Sequence, residues 1–509
     1  MMMARLGAVA SGRARFQEAF MDKVGGFFVV CAGLAGLLLM PPGLAAAASD
    51  NEPGVPICKA KKVQKFPEIT SDGAGGAIIA WTDTRNGNDD IYAQRISADG
   101  TVQWVTDGVA VCADAGSQKN PALVPDGAGG AIVAWADYRK GRRGCATYVQ
   151  RISADGRALW APEGVALTAS AGDQWNRALV PDGEGGAVVV WEDYRNGRTA
   201  DIFAQRVSAT GTPLWSAAGV ALCTAPETQG SVRLAPDGAG GAIVAWMDGR
   251  RGGYEHDIYA QRIAADGTVR WDSNGVALCA AAGWKCCPIV VPDDAGGAIV
   301  AWDDWRNRNE DVYAQRISAT GLLRWGANGV VLWADSCRMA WHTIVADGAG
   351  GAISHRAAES HGNCTVRVQR ISGDATPRWS GDGVVLCSAA GSITGPMIAD
   401  AAGGAIVAWP RARAAPPRGG GRLWDIYAQR ISADGGVQWA ADGVAVCTMT
   451  GDPFCPEFVS DGAGGAILAW SDYDFRRHGD IYAQGVKATG QLWPKRAAPA
   501  PAKGRRRDR

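Results

Sequence analysis

Neither sign of charge is in excess in this chain. Lys plus Arg and Asp plus Glu number 51 each, so the net charge is zero. Without a global field, neither nucleic acid nor an anionic membrane surface is an expected partner. Histidine is sparse, at five in 509 residues. No CxxC pair or zinc spacing occurs among the 13 cysteines, which leaves disulfides or buried free thiols as their expected states. No catalytic constellation stands out, and no cofactor is expected. The basic run, Lys503 to Arg509, follows an Ala/Pro-rich stretch, and residues 495–509 read as a solvated, disordered tail.

A continuous apolar run, Val24 to Met40, follows the charged Met21-Asp22-Lys23 and ends at Pro41-Pro42. At about 17 residues it is short for a membrane span, and Ala45 to Ala48 offer small residues for cleavage before Ser49. Residues 1–48 therefore read as a signal peptide whose true start is Met21, with an uncleaved anchor as the alternative. Cys31 lacks the small preceding residue of a lipoprotein site. The mature chain is expected to be secreted, to the periplasm or the exterior, with no membrane span.

Glycine and tryptophan, at 69 and 21 residues, are abundant, and both follow from a repeat. Asp-Gly-x-Gly-Gly, or a near version, begins at Asp72, Asp126, Asp182, Asp237, Asp293, Asp347, Asp400 and Asp461. Nine residues on stands Trp81, Trp135, Trp191, Trp246, Trp302, Trp409 or Trp470, and Arg356 in the sixth copy. A second Trp closes each unit, at 104, 160, 215, 271, 325, 379, 439 and 493. Aromatics at fixed phase are core, not ligand site. Six cysteines (58, 112, 223, 279, 387 and 447) end a recurring Gly-Val-x-x-Cys.

Each unit reads as four strands. Phe66 to Thr70 is the first, stopped by the Asp-Gly turn. Gly76 to Trp81 is almost wholly apolar, as a strand buried on both faces would be. Asp90 to Ile96 alternates, and Val102 to Trp104 continues into Gly108 to Cys112 as a fourth. Four strands per roughly 54-residue unit is the propeller pattern. The eighth unit stops after Trp493 without its Gly-Val-x-x-Cys, and an orphan copy, Gly54 to Cys58, precedes the first. Residues 49–494 are thus expected to form a single all-β, eight-bladed β-propeller of four-stranded blades, closed by an N-terminal strand completing the last blade.

The order Pro-x-Ile, Asp-Gly-x-Gly, Asp-x-Arg, Asp-Ile-Tyr, Ser-x-Asp-Gly-x-x-x-Trp resembles the blades of sialidase-type, Asp-box (BNR) propellers. The box-like segments are Ser97 to Trp104, Ser153 to Trp160, Ser372 to Trp379 and Ser432 to Trp439, with Thr210, Thr320 and Thr489 replacing the Asp elsewhere. The resemblance implies the fold. The activity it would imply needs an arginine before an early Ile-Pro, and Phe66, Asn120, Cys287, Gly395 and Cys455 stand there instead. A non-catalytic relative is the reading that fits.

Residues repeated in every blade, such as Arg85 or Arg95, are expected to brace turns, so a site should break the repeat. Six Trp residues do so: Trp175, Trp284, Trp305, Trp333, Trp341 and Trp424. All fall in or beside the loops of one face. Trp284, Trp305, Trp341 and Trp424, with Arg306, Asn307 and Arg308, suit a platform on which sugar faces stack while polar groups read hydroxyls or carboxylates. The alternative is that these Trp residues plug blade junctions. Unit six also departs, gathering Cys337, His342, His355, His361 and Cys364, where a Cys337–Cys364 disulfide is preferred to a metal. Cys112–Cys145 would be a matching bridge. The loop acids Asp89, Asp90, Glu310 and Asp311 make Ca2+ a secondary reading. The expected function is binding of carbohydrate or a cell-surface partner through the loop face. A sialidase-type hydrolase with rearranged residues and a purely structural scaffold are the alternatives.

Overall fold

The Asp-Gly turns set the frame. Asp72 Oδ1 accepts hydrogen bonds from the backbone N–H of Ala74 and Gly76, both at 2.8 Å, the self-closing turn that aspartate favours. Each later copy repeats it, through Asp461. A computed structural model describes residues 54–494 except 142–143, 171, 254, 335–341, 361–362, 380, 389–394, 414–423, 449–451 and 474–478. Its strands form eight separate four-stranded antiparallel sheets arranged in a ring, an eight-bladed β-propeller.

In blade 1 the strands are Gln64–Ser71, Ala77–Asp83, Asp90–Ile96 and Val109–Cys112. The second is buried along its whole length, as its unbroken apolar run requires when blades pack face to face. The fourth strand is only Val109–Cys112. Val102 makes an isolated bridge to Ile96 instead of starting that strand. The last blade takes three strands from the C-terminal end and its fourth, Val55–Cys58, from the N-terminal end, where Val55 lies opposite Ala483. Ile57 and Cys58 are buried there.

Two tryptophans per blade do different work. The inner one, present in every blade but the sixth, is fully buried, and in blades 1 to 5 its indole donates to the Asp two residues on, as from Trp81 Nε1 to Asp83 Oδ2 at 2.9 Å. That carboxylate also binds the following arginine, at 2.6 Å for Arg85. The guanidinium stacks on Tyr92 at 3.9 Å and touches Cys58 Sγ of the preceding blade's outer strand at 3.1 Å. The bracing role expected of these arginines is what they perform. The outer tryptophan crosses to the next blade: Trp104 Nε1 donates to the carbonyl of Ala154 at 3.0 Å. All eight do this at 2.8–3.2 Å, and Trp493 returns to Ala98 of blade 1.

Blade 6 lacks its inner Trp but not the ring that fills the slot. Elsewhere that ring lies beneath a glycine at positive φ, such as Gly108 over Trp81, so close that a Cβ would collide with it. In blade 6 the ring beneath Gly383 belongs to Trp333, which ends the outer strand of blade 5 where six other blades have cysteine. Its Nε1 donates to Ser354 Oγ at 2.9 Å.

The expected Cys112–Cys145 bridge is corrected. Both residues are free thiols. Cys112 sits at the Arg139 guanidinium of blade 2, while Cys145 Sγ donates to the Gln174 carbonyl at 3.1 Å toward blade 3. Cys337 and the side chain of Cys364 lie outside the described residues. Burial pushes the Cys58, Cys112 and Cys223 thiols up to about 12, so they are inert.

Replacing Trp246 with alanine should cost about 3–5 kcal/mol. Trp333→Ala should be unusually costly for a residue outside the repeat, above about 2 kcal/mol. Denaturant titrations of the two variants check both values, and a Trp333 variant as stable as the parent would remove the slot-filling account.

Candidate functional site

First strands of neighbouring blades pack on one another all the way round, so they line the centre of the ring. Each begins at the loop face. In blade 5 the first strand, Lys285–Pro292, pairs with Ala298–Asp304, placing Lys285 opposite Asp304 and Cys286 opposite Asp303. Just beyond that pair the backbone N–H of Trp305 donates to the Trp284 carbonyl at 2.9 Å. Other blades make the same backbone bond with Val63 and Thr84, Ser117 and Tyr138, or Thr228 and Gly249. In blade 5 both positions are tryptophan, and the rings meet at 4.4 Å between centroids, tilted by 38°. Trp284 is 41% exposed and Trp305 is half-buried.

The neighbours divide. Arg306 is committed to the blade brace: it binds Asp304 at 2.6 Å and the Asn328 carbonyl at 3.1 Å, and it stacks on Tyr313 at 3.8 Å. Asn307 Nδ2 donates to Asp311 at 3.1 Å and to the Tyr313 hydroxyl at 3.2 Å, as Asn86 does in blade 1. Arg308 is exposed and holds φ +65, where blade 1 has Gly87. An arginine in the left-handed region carries strain that a glycine would not. Trp424 opens the third strand of blade 7, Trp424–Ile431, two blades from the Trp284–Trp305 pair. Trp341 lies outside the described residues. Trp175 packs edge-on against Tyr138 at 6.2 Å, at the junction of blades 2 and 3.

Blade 5 breaks the repeat beneath the surface as well. Lys285 stands where blades 1 to 4 have Gln64, Gln118, Gln174 and Gln229. It is fully buried and bonds Asp257 at 3.2 Å and the Gly283 carbonyl at 3.0 Å. Asp257 also takes Arg251 at 2.8 Å.

The centre of the ring carries a second group of charges. A β-bulge interrupts most inner strands, with Phe66, Asn120, Asn176, Ser231 and Cys287 at positive φ. Just past it stand Glu68 in blade 1, Arg233 in blade 4 and Glu457 in blade 8. Both glutamates are half-buried. Burial raises both carboxyls above the usual range. At Glu68 the neighbouring Glu457 raises it further, and Arg233 opposes the shift. Glu192 lies deeper. It accepts Asn176 Nδ2 at 2.8 Å and Ser231 N–H at 2.7 Å, yet burial still lifts its carboxyl to about 7. His355, fully buried beside His342, is pushed down to about 3 and is neutral.

No family model matches the chain, and no curated protein matches it. Among solved structures it is similar to an ulvan lyase of a polysaccharide lyase family, at 10% identity and a TM-score of 0.45 over 79% of this chain and 96% of that one. A Hadza microbial sialidase is similar at 12% and 0.34, over 62% and 68%. The β-propeller domain of a protease from Pyrococcus furiosus is similar at 7% and 0.40, over 72% and 95%. Likeness this distant carries no argument about chemistry.

A raised carboxyl gives a signed pH dependence. Glu192 keeps its proton in the folded chain between its ordinary 4.5 and about 7, where the unfolded chain has lost it. Its contribution is full below pH 4.5 and lost as pH rises through 7. At about 1.4 kcal/mol per unit, the loss is on the order of 3 kcal/mol. Unfolding free energies from pH 4 to 8 should therefore fall less steeply in Glu192→Gln than in the parent. Parallel curves would show that Glu192 titrates normally.

Proposed function

We propose that the chain is an exported carbohydrate-binding propeller whose glycan platform is the Trp284–Trp305 pair at the loop end of blade 5. The observation that carries this is an exposed indole packed against a second one, at a position where blades 1 to 4 have smaller side chains. Leaving a large apolar side chain in water forgoes roughly 1.5–3 kcal/mol of burial. An exposed indole face recovers such a loss when a sugar's apolar face stacks on it. Arg308, exposed beside the pair, supplies a fork for hydroxyl or carboxylate groups. Asn307 and Arg306 serve mainly to hold the loop that presents these groups.

A glycan array probed with residues 49–509 should show binding, and the Trp284→Ala, Trp305→Ala double variant should lose it with little change in melting temperature. A correctly folded parent that binds no glycan rejects the reading in favour of a protein-binding or structural propeller.

The hydrolase alternative has one observation of its own, the raised carboxyls Glu68 and Glu457 with Arg233 among the central strands. A carboxyl that keeps its proton near neutrality can act as a general acid, and a second carboxylate can act as base or nucleophile. Cleavage of acidic glycans that Glu457→Gln reduces by about 10²-fold or more would favour it; the absence of turnover leaves the binding reading.

A further inference from the structure

Cysteines at adjacent positions in a regular strand point to opposite faces. Cys286 and Cys287 do not, because the bulge of their strand falls on Cys287, at φ +58. Their sulfurs lie 2.8 Å apart, inside the separation of two unbonded sulfurs. Asp303, directly across the ladder from Cys286, brings a carboxylate oxygen to the same point, and the three donor atoms lie within 4.8 Å of one another.

We propose that blade 5 binds a zinc-type divalent cation between Cys286, Cys287 and Asp303, at the mouth of the ring's centre. Two thiolates and a carboxylate are a borderline-soft donor set, and three protein ligands leave one position of a tetrahedron open. Cys287 is exposed whereas Cys286 and Asp303 are buried, so the open position faces water. Blade 6 supplies the outer support. His342 Nδ1 bonds Asp303 Oδ1 at 2.8 Å, which leaves the other oxygen for the ion. His342 is 6% exposed, and its Nε2 has no hydrogen-bond partner. Beside it in the sheet, Arg356 is buried with its Nη2 on the Glu310 carbonyl at 2.9 Å, adding a positive charge where three anionic ligands meet a dication.

No other described blade has this set. Positions matching Cys286 and Cys287 are Lys65 and Phe66, Lys119 and Asn120, Trp175 and Asn176, or Gly230 and Ser231. Cys286 follows Trp284 by two residues, so the cluster belongs to the same first strand and loop end of blade 5. It does not rest on the glycan reading, since it stands on the Cys286, Cys287 and Asp303 cluster.

The test uses the full mature chain, purified under a phosphine reductant and titrated with Co2+, then with Zn2+ as competitor. A thiolate-to-cobalt charge-transfer band should appear at one equivalent and be displaced by Zn2+. Cys287→Ser, at an exposed position that leaves the core intact, should remove a large part of its intensity. His342→Gln should weaken Co2+ binding by about 10–100-fold while keeping the band's shape. No thiolate band from the folded, reduced chain overturns the proposal, as does a band that survives Cys287→Ser. An intact mass lighter by two hydrogens, with Cys286 and Cys287 joined after reduction, would equally overturn it.

Discussion

Every blade hands an indole N–H to its neighbour. The outer tryptophan of one blade lies across the junction and donates to a backbone carbonyl of the next, eight times round. An indole is mostly apolar surface with a single donor, so it can seal a junction only if that donor finds an acceptor on the far side. The carbonyl of the Ser-Ala-Asp-Gly turn supplies it. In blades 1 to 6 the arginine of the third strand reaches the same carbonyl while binding its own turn aspartate, as Arg95 does with Asp72 and Ala154. That contact recurs at every junction of the ring.

Much of this was legible because repetition multiplies weak signals. One Asp-Gly or one Trp says little, but eight at constant phase define the blade, and the orphan Gly54 to Cys58 announced the closure. What stayed hidden is local and aperiodic. The bulges place Phe66, Asn120 and Cys287 at positive φ without a glycine to mark them. The pairing of Cys286 with Cys287 on one side of the strand was therefore invisible, although two consecutive cysteines were themselves a signal. Glu68 and Glu457 follow proline in only blades 1 and 8, a break that attention to the loop-face tryptophans passed over. Trp333 looked like a loop residue because its role depends on the loss of Trp from blade 6. Arg306 was grouped with the platform although its recurrence already marked it as a brace.

Blades 5 and 6 concentrate the departures: Trp284, Trp305, Lys285, Cys286, Cys287, Arg308, Trp333, His342 and Arg356. Symmetric scaffolds tolerate this because each blade contacts only its two neighbours, so substitutions in one junction leave the others intact. Where a substitution removes a core group, the structure shows the compensation beside it, as Trp333 does for blade 6 and Asp257 does for Lys285. The Trp284–Trp305 pair and the strained Arg308 show no such structural return.

Gly485 is the one third-strand position where an arginine is missing, and the Trp493 ring occupies the space that side chain would need. The joint between blades 8 and 1 thus lacks the arginine bond and rests on the Trp493 indole, the borrowed N-terminal strand and the apolar packing of Ile79 and Trp81 with Ile467 and Ala469. It also joins residues 395 apart in sequence. Closing so long a loop costs about 5 kcal/mol, only about 2 kcal/mol more than a neighbour-to-neighbour joint. The ring therefore has a seam, and amide protons on either side of it should exchange ahead of those in the other seven joints.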